Sequence, residues 1–379
     1  MKKVFMTLLI SLMLASCSSQ PKLNKEQTNL GYLLDAEGNI VLALNTDVYM
    51  TTVRSDYRQR TTQEAQDIIF FYHRLLDCYH DYLDDSGNQI VNVKYLNEHI
   101  DCGPVKVQEE LIEAIKLSIE MAKLTKGYFN PTIGKLVDAY EGKFTPFETT
   151  NTDPDKNVID EALASIVPYE MINEYITIDE EASTISLKSS NGTPFKINLG
   201  AISKGFVLDK IDLEIDTSFL LSAGSSSIRG YNAPNEDISW TIASKLPDSS
   251  DIMMAYGLNN TSVSTSGDDE QYYLLDDGTR RHHILNPFTG YSENTYRRVT
   301  LVSECSGVVD ALSTAVFNAS KPDMAKELIE DVEKSLNIDI NYCLLCYEDG
   351  KYVSYMDDGF NDRLIAEYNS PDVERIVME

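Results

Sequence analysis

Asp310 and Thr314 are spaced as two oxygen ligands of one cation would be. They begin and end the segment Asp310-Ala-Leu-Ser-Thr314. Residues four apart on a helix lie on one face, so the carboxylate and the hydroxyl could share a metal ion. Oxygen ligands of this kind suit Mg²⁺. Taken alone, the segment is more often a first-turn aspartate that favours the helix dipole, with the threonine packed.

A second segment, Asn198-Leu-Gly-Ala-Ile-Ser-Lys-Gly205, places a glycine between a predicted strand and a predicted helix. Such a turn presents free backbone N–H groups and a positive dipole end, which suit a phosphate. Lys204 could add a point charge. The alternative is that Gly200 only makes a tight turn and Lys204 is solvated.

Two adjacent histidines, His282 and His283, form the third feature. Adjacent residues on a strand point to opposite faces, so at most one of them faces a given site and the other is expected to be exposed. A histidine beside a reactive phosphate could act as a general base. A fourth segment, Thr265-Ser-Gly-Asp268, is a polar cluster of the kind that ordinarily forms a turn.

These segments lie among predicted helices and hairpin-linked strands. Apolar spacing of three and four predicts helices at residues 62–82, 107–125, 202–215, 307–318 and 323–336. Alternation predicts strands at 175–187 and 195–199, and from 219 to about 302, while 145–160 is predicted to be a surface loop. The fold class is therefore predicted as α+β, with mixed, largely antiparallel sheets and packed helices.

The order and separation of the four segments resemble the ApbE family of FAD:protein FMN transferases. Thr125-Lys-Gly-Tyr-Phe-Asn-Pro-Thr132 resembles the family's T-x-G-x-F-D-P-T, and residues 219–230 resemble its strand ending in a glycine-rich turn. The resemblance covers roughly residues 40–320. It implies an ApbE-like domain at 31–365, followed by a C-terminal tail at 366–379.

The resemblance also implies site residues. Asp310, Thr314 and the carbonyl of Ala201 would hold Mg²⁺, and His283 would be the catalytic histidine. The flavin contacts that it implies are Leu44, Tyr82, Tyr128, Phe129, Asn130, Asn198, Lys204 and Ile284.

The activity implied is Mg²⁺-dependent transfer of the FMN half of FAD to a threonine or serine hydroxyl of an acceptor protein, with release of AMP. Hydrolysis of FAD to FMN and AMP would use the same residues. Asn130, Asn198 and Asn286 stand where the family commonly has aspartate, which also keeps open a non-catalytic flavin-binding lipoprotein. A surface lipoprotein that binds glycan or protein without flavin is a further alternative.

The N-terminus predicts export and lipid anchoring. Lys2 and Lys3 precede an apolar stretch too short to span a bilayer, and Leu14-Ala-Ser-Cys17 looks like a lipobox. We therefore expect a signal peptide at 1–16, acylation of Cys17, a tether at 17–30 and an extracytoplasmic enzyme on the periplasmic side or cell surface. An ordinary signal peptide with an incidental cysteine is the alternative. The acceptors implied by the family are flavin-bearing subunits of membrane redox complexes.

Charge and cysteine usage narrow the partners. The formal charge is −28, from 60 acidic and 32 basic residues, and a field of that sign repels nucleic acid and anionic lipid headgroups. A polyanionic ligand would therefore need a local cation, such as a bound metal. Five cysteines follow Cys17, an odd number that argues against a fully paired disulfide framework. Cys343 and Cys346 lie three apart on a predicted strand, which favours buried thiols on opposite faces over a metal clip.

Overall fold

The computed structural model describes residues 25–53, 58–144, 152–189, 192–213, 218–232 and 239–378. The strands in this part of the chain are β1 (Glu26–Asn29), β2 (Tyr32–Leu34), β3 (Ile40–Leu42), β4 (Val48–Thr52), β5 (Val105–Lys106), β6 (Ile176–Asp179), β7 (Thr184–Leu187), β8 (Phe219–Ala223), β9 (Ser227–Tyr231), β10 (Trp240–Lys245), β11 (Ile252–Leu258), β12 (Ser262–Gly267), β13 (Tyr272–Leu274), β14 (Arg280–His282), β15 (Arg298–Ser303), β16 (Asn341–Glu348), β17 (Lys351–Met356) and β18 (Val373–Val377).

The helices of the same part of the chain are α1 (Arg58–Leu76), α2 (Val93–Glu98), α3 (Glu109–Leu124), α4 (Gly134–Ala139), α5 (Lys156–Ser165), α6 (Ile172–Tyr175), α7 (Ser203–Asp209), α8 (Ser306–Phe317), α9 (Pro322–Leu336) and α10 (Asp358–Arg363). Short 3₁₀ turns form at Ala43–Asn45, Tyr169–Met171 and Ala366–Tyr368.

A nine-stranded sheet in the order β1-β4-β8-β9-β12-β15-β16-β17-β18 forms the centre of the molecule. Its neighbouring strands are antiparallel except for β17 and β18, which are parallel. Smaller sheets of two or three strands surround it. The predicted α+β class with largely antiparallel sheets is therefore confirmed.

Each face of the large sheet covers a separate apolar core. The larger core packs the sheet against helices α1, α3, α7, α8 and α9, and the smaller one packs its other face against β10, β11 and α10. Cys343 lies in the smaller core and Cys346 in the larger one, both as free thiols. The expectation that these two side chains point to opposite faces of a strand is confirmed.

Several predicted element boundaries differ from those observed. Helix α1 ends at Leu76 rather than at 82, because the Asp77 carboxylate accepts the N–H groups of Tyr79 and His80 and so competes with helix continuation. Residues 195–199 make only an isolated bridge from Lys196. Helix α5 begins inside the predicted loop at 145–160, of which 145–151 lie outside the described residues.

The two predicted terminal segments also contribute strands. Residues 17–30 were predicted as a tether, yet β1 pairs with β4, so the tether would end before Glu26. Residues 366–379 were predicted as a tail, yet β18 pairs with β17 as a parallel edge strand of the large sheet. The predicted signal peptide and Cys17 lie outside the described residues. In the described ranges, no helix has the length and apolar character needed to cross a membrane.

Candidate active site

Helices α7 and α8 cross closely at two glycines. A Cβ added to Gly205 would lie 2.2 Å from the carbonyl oxygen of Ser306, and one added to Gly307 would lie 3.1 Å from the Cα of Phe206. Any side chain larger than hydrogen at Gly205 would therefore push the two helices apart. Glycine at this position serves the approach of α8 to α7.

The end of α7 fixes the beginning of α8. The Asp209 carboxylate accepts the N–H groups of Ser306 and Gly307, each at 2.8 Å, and thus caps α8 from a neighbouring helix. Arg229 donates to Asp209 at 2.6 Å and to the carbonyl of Glu304 at 2.7 Å. Burial raises the pKa of Asp209, and these hydrogen bonds oppose that shift.

Asp310 is buried one turn into α8 and surrounded by donors. Its Oδ2 accepts the N–H of Gly205 at 2.9 Å, and its Oδ1 accepts the hydroxyls of Ser227 at 2.7 Å and Ser264 at 2.9 Å. The contacts between α7 and α8 run from 209 with 306 and 307 to 205 with 310, so the helices are antiparallel. Ala201 lies in the turn before α7, four residues before Gly205, and Thr314 lies one turn after Asp310 on α8.

The predicted ligands Asp310, Thr314 and Ala201 are of a type that fits a hard divalent cation. A carboxylate, a hydroxyl and a backbone carbonyl supply only oxygen, the ligand type that Mg²⁺ prefers. The donors on Asp310 hold its carboxylate in one orientation, and Thr314 is half-buried on the same helix. In the described part of the chain, no cluster of three or more histidine, cysteine, aspartate or glutamate side chains offers an alternative metal site.

A cleft adjoins the start of α7. It lies between the 3₁₀ turn at Ala43–Asn45, the end of α1 and the segment leading into α7, and it is lined by Leu44, Asn45, His73, Leu76, Asp77, Cys78, Tyr79, Asn198, Leu199, Gly200 and Ser203. Of the predicted flavin contacts, Leu44 and Asn198 therefore line this cleft. The same segment, 198–203, continues into the α7–α8 junction, so the cleft and the predicted metal ligands share one wall.

Leu44 and Asn45 form a left-handed turn at the cleft, with φ of 54° and 57°. Asparagine at position 45 tolerates this conformation better than most other residues with a side chain. Thr46 packs against Gly224, where an added Cβ would lie 2.7 Å from the Thr46 hydroxyl oxygen. The glycine kept at 224 thus permits the close approach of this loop.

Tyr79 presents its ring at the cleft. Its side chain is 44% exposed, its hydroxyl accepts the Asn198 amide at 3.0 Å, and the Lys196 ammonium lies 4.8 Å from its ring centroid. The Asn198 side-chain oxygen also accepts the N–H of Gly200 at 2.8 Å. The amide at Asn198 therefore holds both the turn and the tyrosine, a donor role that an ionised aspartate could not fill.

His283 and Lys204 act on each other electrostatically. The His283 side chain is exposed at the surface, and its pKa is lowered by partial desolvation from the neighbouring protein and by the Lys204 ammonium. The neutral imidazole is therefore the main form at neutral pH. A neutral imidazole is the form able to accept a proton.

His282 is fully buried, so the expectation that the second histidine is exposed is wrong. Its Nε2 lies 2.7 Å from the carbonyl oxygen of Glu293, and its Nδ1 accepts the N–H of Ile284 at 3.3 Å. Burial lowers its pKa to about 3. These bonds fix the backbone that carries His283.

Several other predicted flavin contacts occupy structural positions. Tyr82 is 1% exposed and its hydroxyl is engaged by His73 and Asp77, because the chain turns inward after α1 ends. Phe129 and Ile284 are buried, whereas Tyr128 and Lys204 are partly exposed.

Two of the unusual asparagines use their amide groups as donors. Asn130 is buried, donates to the carbonyl of Val167 at 2.9 Å, and accepts the Thr132 hydroxyl at 2.8 Å. Asn286 donates to the Glu293 carboxylate at 2.7 Å. An ionised aspartate could donate neither bond, so asparagine at these positions fits the surrounding acceptors.

Sequence reasoning missed several side chains of this region: His73, Asp77, Tyr79, Ser227 and Ser264. The serines carried no signal, because isolated serines in strands are common. The pair His73 and Asp77, four apart on a predicted helix, was the one available hint.

Known proteins are similar to this chain in sequence. Two curated relatives named FAD:protein FMN transferase, from Klebsiella pneumoniae and Haemophilus influenzae, are 28% and 26% identical over 56% and 60% of this chain. The chain spans about two thirds of each, 64% and 65% of their lengths.

Solved structures share the fold. The ApbE protein from Thermotoga maritima is 26% identical, with a TM-score of 0.68 over 89% of this chain and 99% of that one. The flavin transferase ApbE from Vibrio cholerae is 19% identical, with a TM-score of 0.66 over 90% of this chain and 100% of that one. The model described as the ApbE family matches residues 45–338, and the chain therefore belongs to the ApbE family.

Proposed function

We propose that this protein transfers the FMN half of FAD to a threonine or serine hydroxyl of an acceptor protein, with Mg²⁺ and with release of AMP. The observation that carries the proposal is the α7–α8 junction, where Asp310 is held beside the segment that lines the cleft. The curated relatives are named for the same transfer. The protein has a formal charge of −28, so an anionic diphosphate would be repelled unless a bound cation neutralised it locally. A metal-dependent reaction fits this requirement.

Asp310, Thr314 and the Ala201 carbonyl would hold the cation, which when bound withdraws charge from the diphosphate and improves the AMP leaving group. The cleft residues Tyr79, Asn198 and Leu44 would bind and orient the flavin part. Lys204, on the first turn of α7, would face phosphate oxygens.

The chemical step exchanges the phosphoanhydride bond of FAD for a phosphoester bond to the acceptor. The acceptor oxygen forms a bond to the FMN phosphorus, and the bond from that phosphorus to the oxygen of AMP breaks. His283, neutral at working pH, would take the hydroxyl proton, so that AMP leaves with the bridging oxygen.

We also propose that the enzyme is exported and lipid-anchored through Cys17. The lipobox-like Leu14-Ala-Ser-Cys17 and the preceding charged and apolar segments support this. The anchor would hold the enzyme beside flavin-bearing subunits of membrane redox complexes. Mass spectrometry of the membrane-extracted protein tests the anchor, since an unmodified N-terminus at another residue would contradict it.

The transfer is tested by incubating the purified protein with FAD, Mg²⁺ and a candidate acceptor domain. Transfer predicts a fluorescent acceptor on a denaturing gel, with AMP in solution. Free FMN with an unlabelled acceptor would indicate a pyrophosphatase instead. Unchanged FAD under all metal conditions would contradict both activities.

Asp310→Asn is the sharpest variant for the metal site. We expect metal-dependent turnover of FAD to fall about 100-fold or more, because the amide loses the charge that binds the cation. The fold should persist with some loss of stability, since the new NH₂ replaces an oxygen that accepts either the Gly205 N–H or the two serine hydroxyls. Asp349→Asn, on the exposed turn between β16 and β17, is the control. Normal turnover by the Asp310 variant would refute the metal assignment.

A further inference from the structure

A chain of buried hydrogen bonds ends at the cleft. The N–H of Leu44 donates to Nδ1 of His73 at 3.1 Å, Nε2 of His73 lies 2.9 Å from the Tyr82 hydroxyl, and that hydroxyl donates to Oδ2 of Asp77 at 2.7 Å. His73 is 3% exposed, Tyr82 1% and Asp77 4%. FAD binding in the cleft does not by itself require these hydrogen bonds.

The direction of every proton in the chain is fixed by its two ends. Leu44 can only donate, so Nδ1 of His73 must be unprotonated and Nε2 must carry the proton that goes to Tyr82. Asp77 can only accept while ionised, so the Tyr82 hydroxyl points towards it. Burial lowers the pKa of His73 to about 4, against the opposing charge of Asp77. Each hydrogen bond in this series therefore has one defined direction at neutral pH.

Asp77 extends the chain to a second part of the cleft. Its Oδ1 accepts the N–H of Tyr79 at 2.6 Å, and its Oδ2 lies 2.8 Å from Nδ1 of His80. The same carboxylate thus holds the backbone of Tyr79, whose ring lies at the cleft, and anchors the chain that reaches Leu44. The Asp77 carboxylate therefore supports both Tyr79 and the Leu44 turn, on two sides of the cleft.

The turn at the far end needs such support. Leu44 has φ of 54° and ψ of 25°, and the left-handed conformation costs a residue with a Cβ about 1–2 kcal/mol. Conformations of this kind persist where the surroundings fix them, and they concentrate at ligand sites. His73 supplies the acceptor that the Leu44 N–H would otherwise lack in a buried position.

We propose that His73, Tyr82 and Asp77 are positioning residues that hold the Leu44–Asn45 turn and Tyr79 in the arrangement that binds FAD. The affinity for FAD then depends on this hydrogen-bonded chain, whereas the rate of the step on bound FAD does not. The inference rests on the proposed function in taking FAD as the ligand of the cleft.

Tyr82→Phe tests the inference because it removes the hydroxyl and keeps the ring. We expect the Kd for FAD, measured by flavin fluorescence at saturating Mg²⁺, to rise about tenfold, as for the loss of a buried hydrogen bond. The KM for FAD turnover should rise in parallel, with kcat within about twofold of wild type. His73→Leu removes the acceptor of the Leu44 N–H and should weaken binding further.

Tyr296→Phe is the matched control. Tyr296 is also fully buried, and within the described residues its hydroxyl has no hydrogen-bond partner. The Kd for FAD of this variant should equal that of wild type.

The outcomes separate this inference from the proposed function. Wild-type affinity in Tyr82→Phe, even with a lowered unfolding midpoint, would show that the chain is only structural and would overturn the inference. A fall in kcat at unchanged Kd would overturn it as well. A wild-type protein that fails to bind FAD would instead refute the proposed function, and this inference with it.

Discussion

The two walls of the cleft are built on different physical terms. At the α7–α8 junction, helices approach until only glycine fits at 205, and every donor around Asp310 comes from another segment. The other wall, here called the α1 wall, consists of the end of α1 and the residues up to Tyr82, where a histidine, a tyrosine and an aspartate hold the backbone through hydrogen bonds. The junction should therefore be sensitive to added volume, and the α1 wall to changes of protonation.

Gly205→Ala should produce the largest effect. The new Cβ would meet the Ser306 carbonyl oxygen and the Asp310 Cβ, so the helices must separate, at a cost of about 3 kcal/mol. FAD turnover should be lost with the metal ligands displaced. Gly307→Ala, whose Cβ would find its nearest atoms at 3.1 Å, should cost clearly less. Urea unfolding and turnover measure both, and equal effects would contradict a junction limited by volume.

Acid should destabilise the α1 wall through His73. Its folded-state pKa of about 4 lies below the unfolded value of about 6.5, so its stabilising contribution is complete above pH 6.5 and is lost as pH falls towards 4. His282, with a pKa of about 3, acts in the same direction. Each histidine should remove roughly 1.4 kcal/mol per pH unit below 6.5.

Urea unfolding between pH 7.5 and 4.5 measures this loss. The variant His73→Gln cannot take up the proton, so its free energy of unfolding should fall less steeply with acid. A wild-type free energy of unfolding that stays constant over this range would show that the two histidines are not held neutral.

Asn130→Asp tests whether the Asn130 amide stabilises the fold by donating a hydrogen bond. The carboxylate would lose the bond to the Val167 carbonyl and place a charge near that oxygen, at a cost of about 1 kcal/mol. Turnover by the folded variant should stay close to wild type. Increased stability after this substitution would contradict the hydrogen-bond assignment.

Lys204→Gln should produce the smallest effect on stability. The Lys204 ammonium contributes to the lowered pKa of His283, so its removal should raise that pKa towards the usual value. The acid limb of the pH profile of kcat should then move to higher pH by a fraction of a unit. Lys196→Gln, which removes the cation over the Tyr79 ring, should leave that limb in place.

The junction could be predicted from the sequence because its motifs are local. Gly200, Gly205 and the four-residue spacing of Asp310 and Thr314 mark a turn, a close approach and a shared helix face. The separate segments then come together as the family resemblance implies.

The α1 wall could not be predicted in the same way. Apolar spacing extended the helix through Tyr79 to Tyr82, whereas the Asp77 side chain ends it at Leu76. Periodicity records which positions are apolar and does not register a carboxylate that competes for backbone N–H groups. The family resemblance placed the flavin contact at Tyr82, whereas Tyr79, three residues earlier, is the tyrosine that lines the cleft.

The first and last strands of the described chain occupy opposite edges of the nine-stranded sheet. With about 4.8 Å between neighbouring strands, β1 and β18 lie roughly 40 Å apart along a sheet of this width. An acyl chain on Cys17 would thus tether the protein from the β1 edge and leave the β18 edge distal to the bilayer. A fluorophore fused after β18 should transfer less energy to an acceptor dye in the headgroups than one placed on the β2–β3 hairpin.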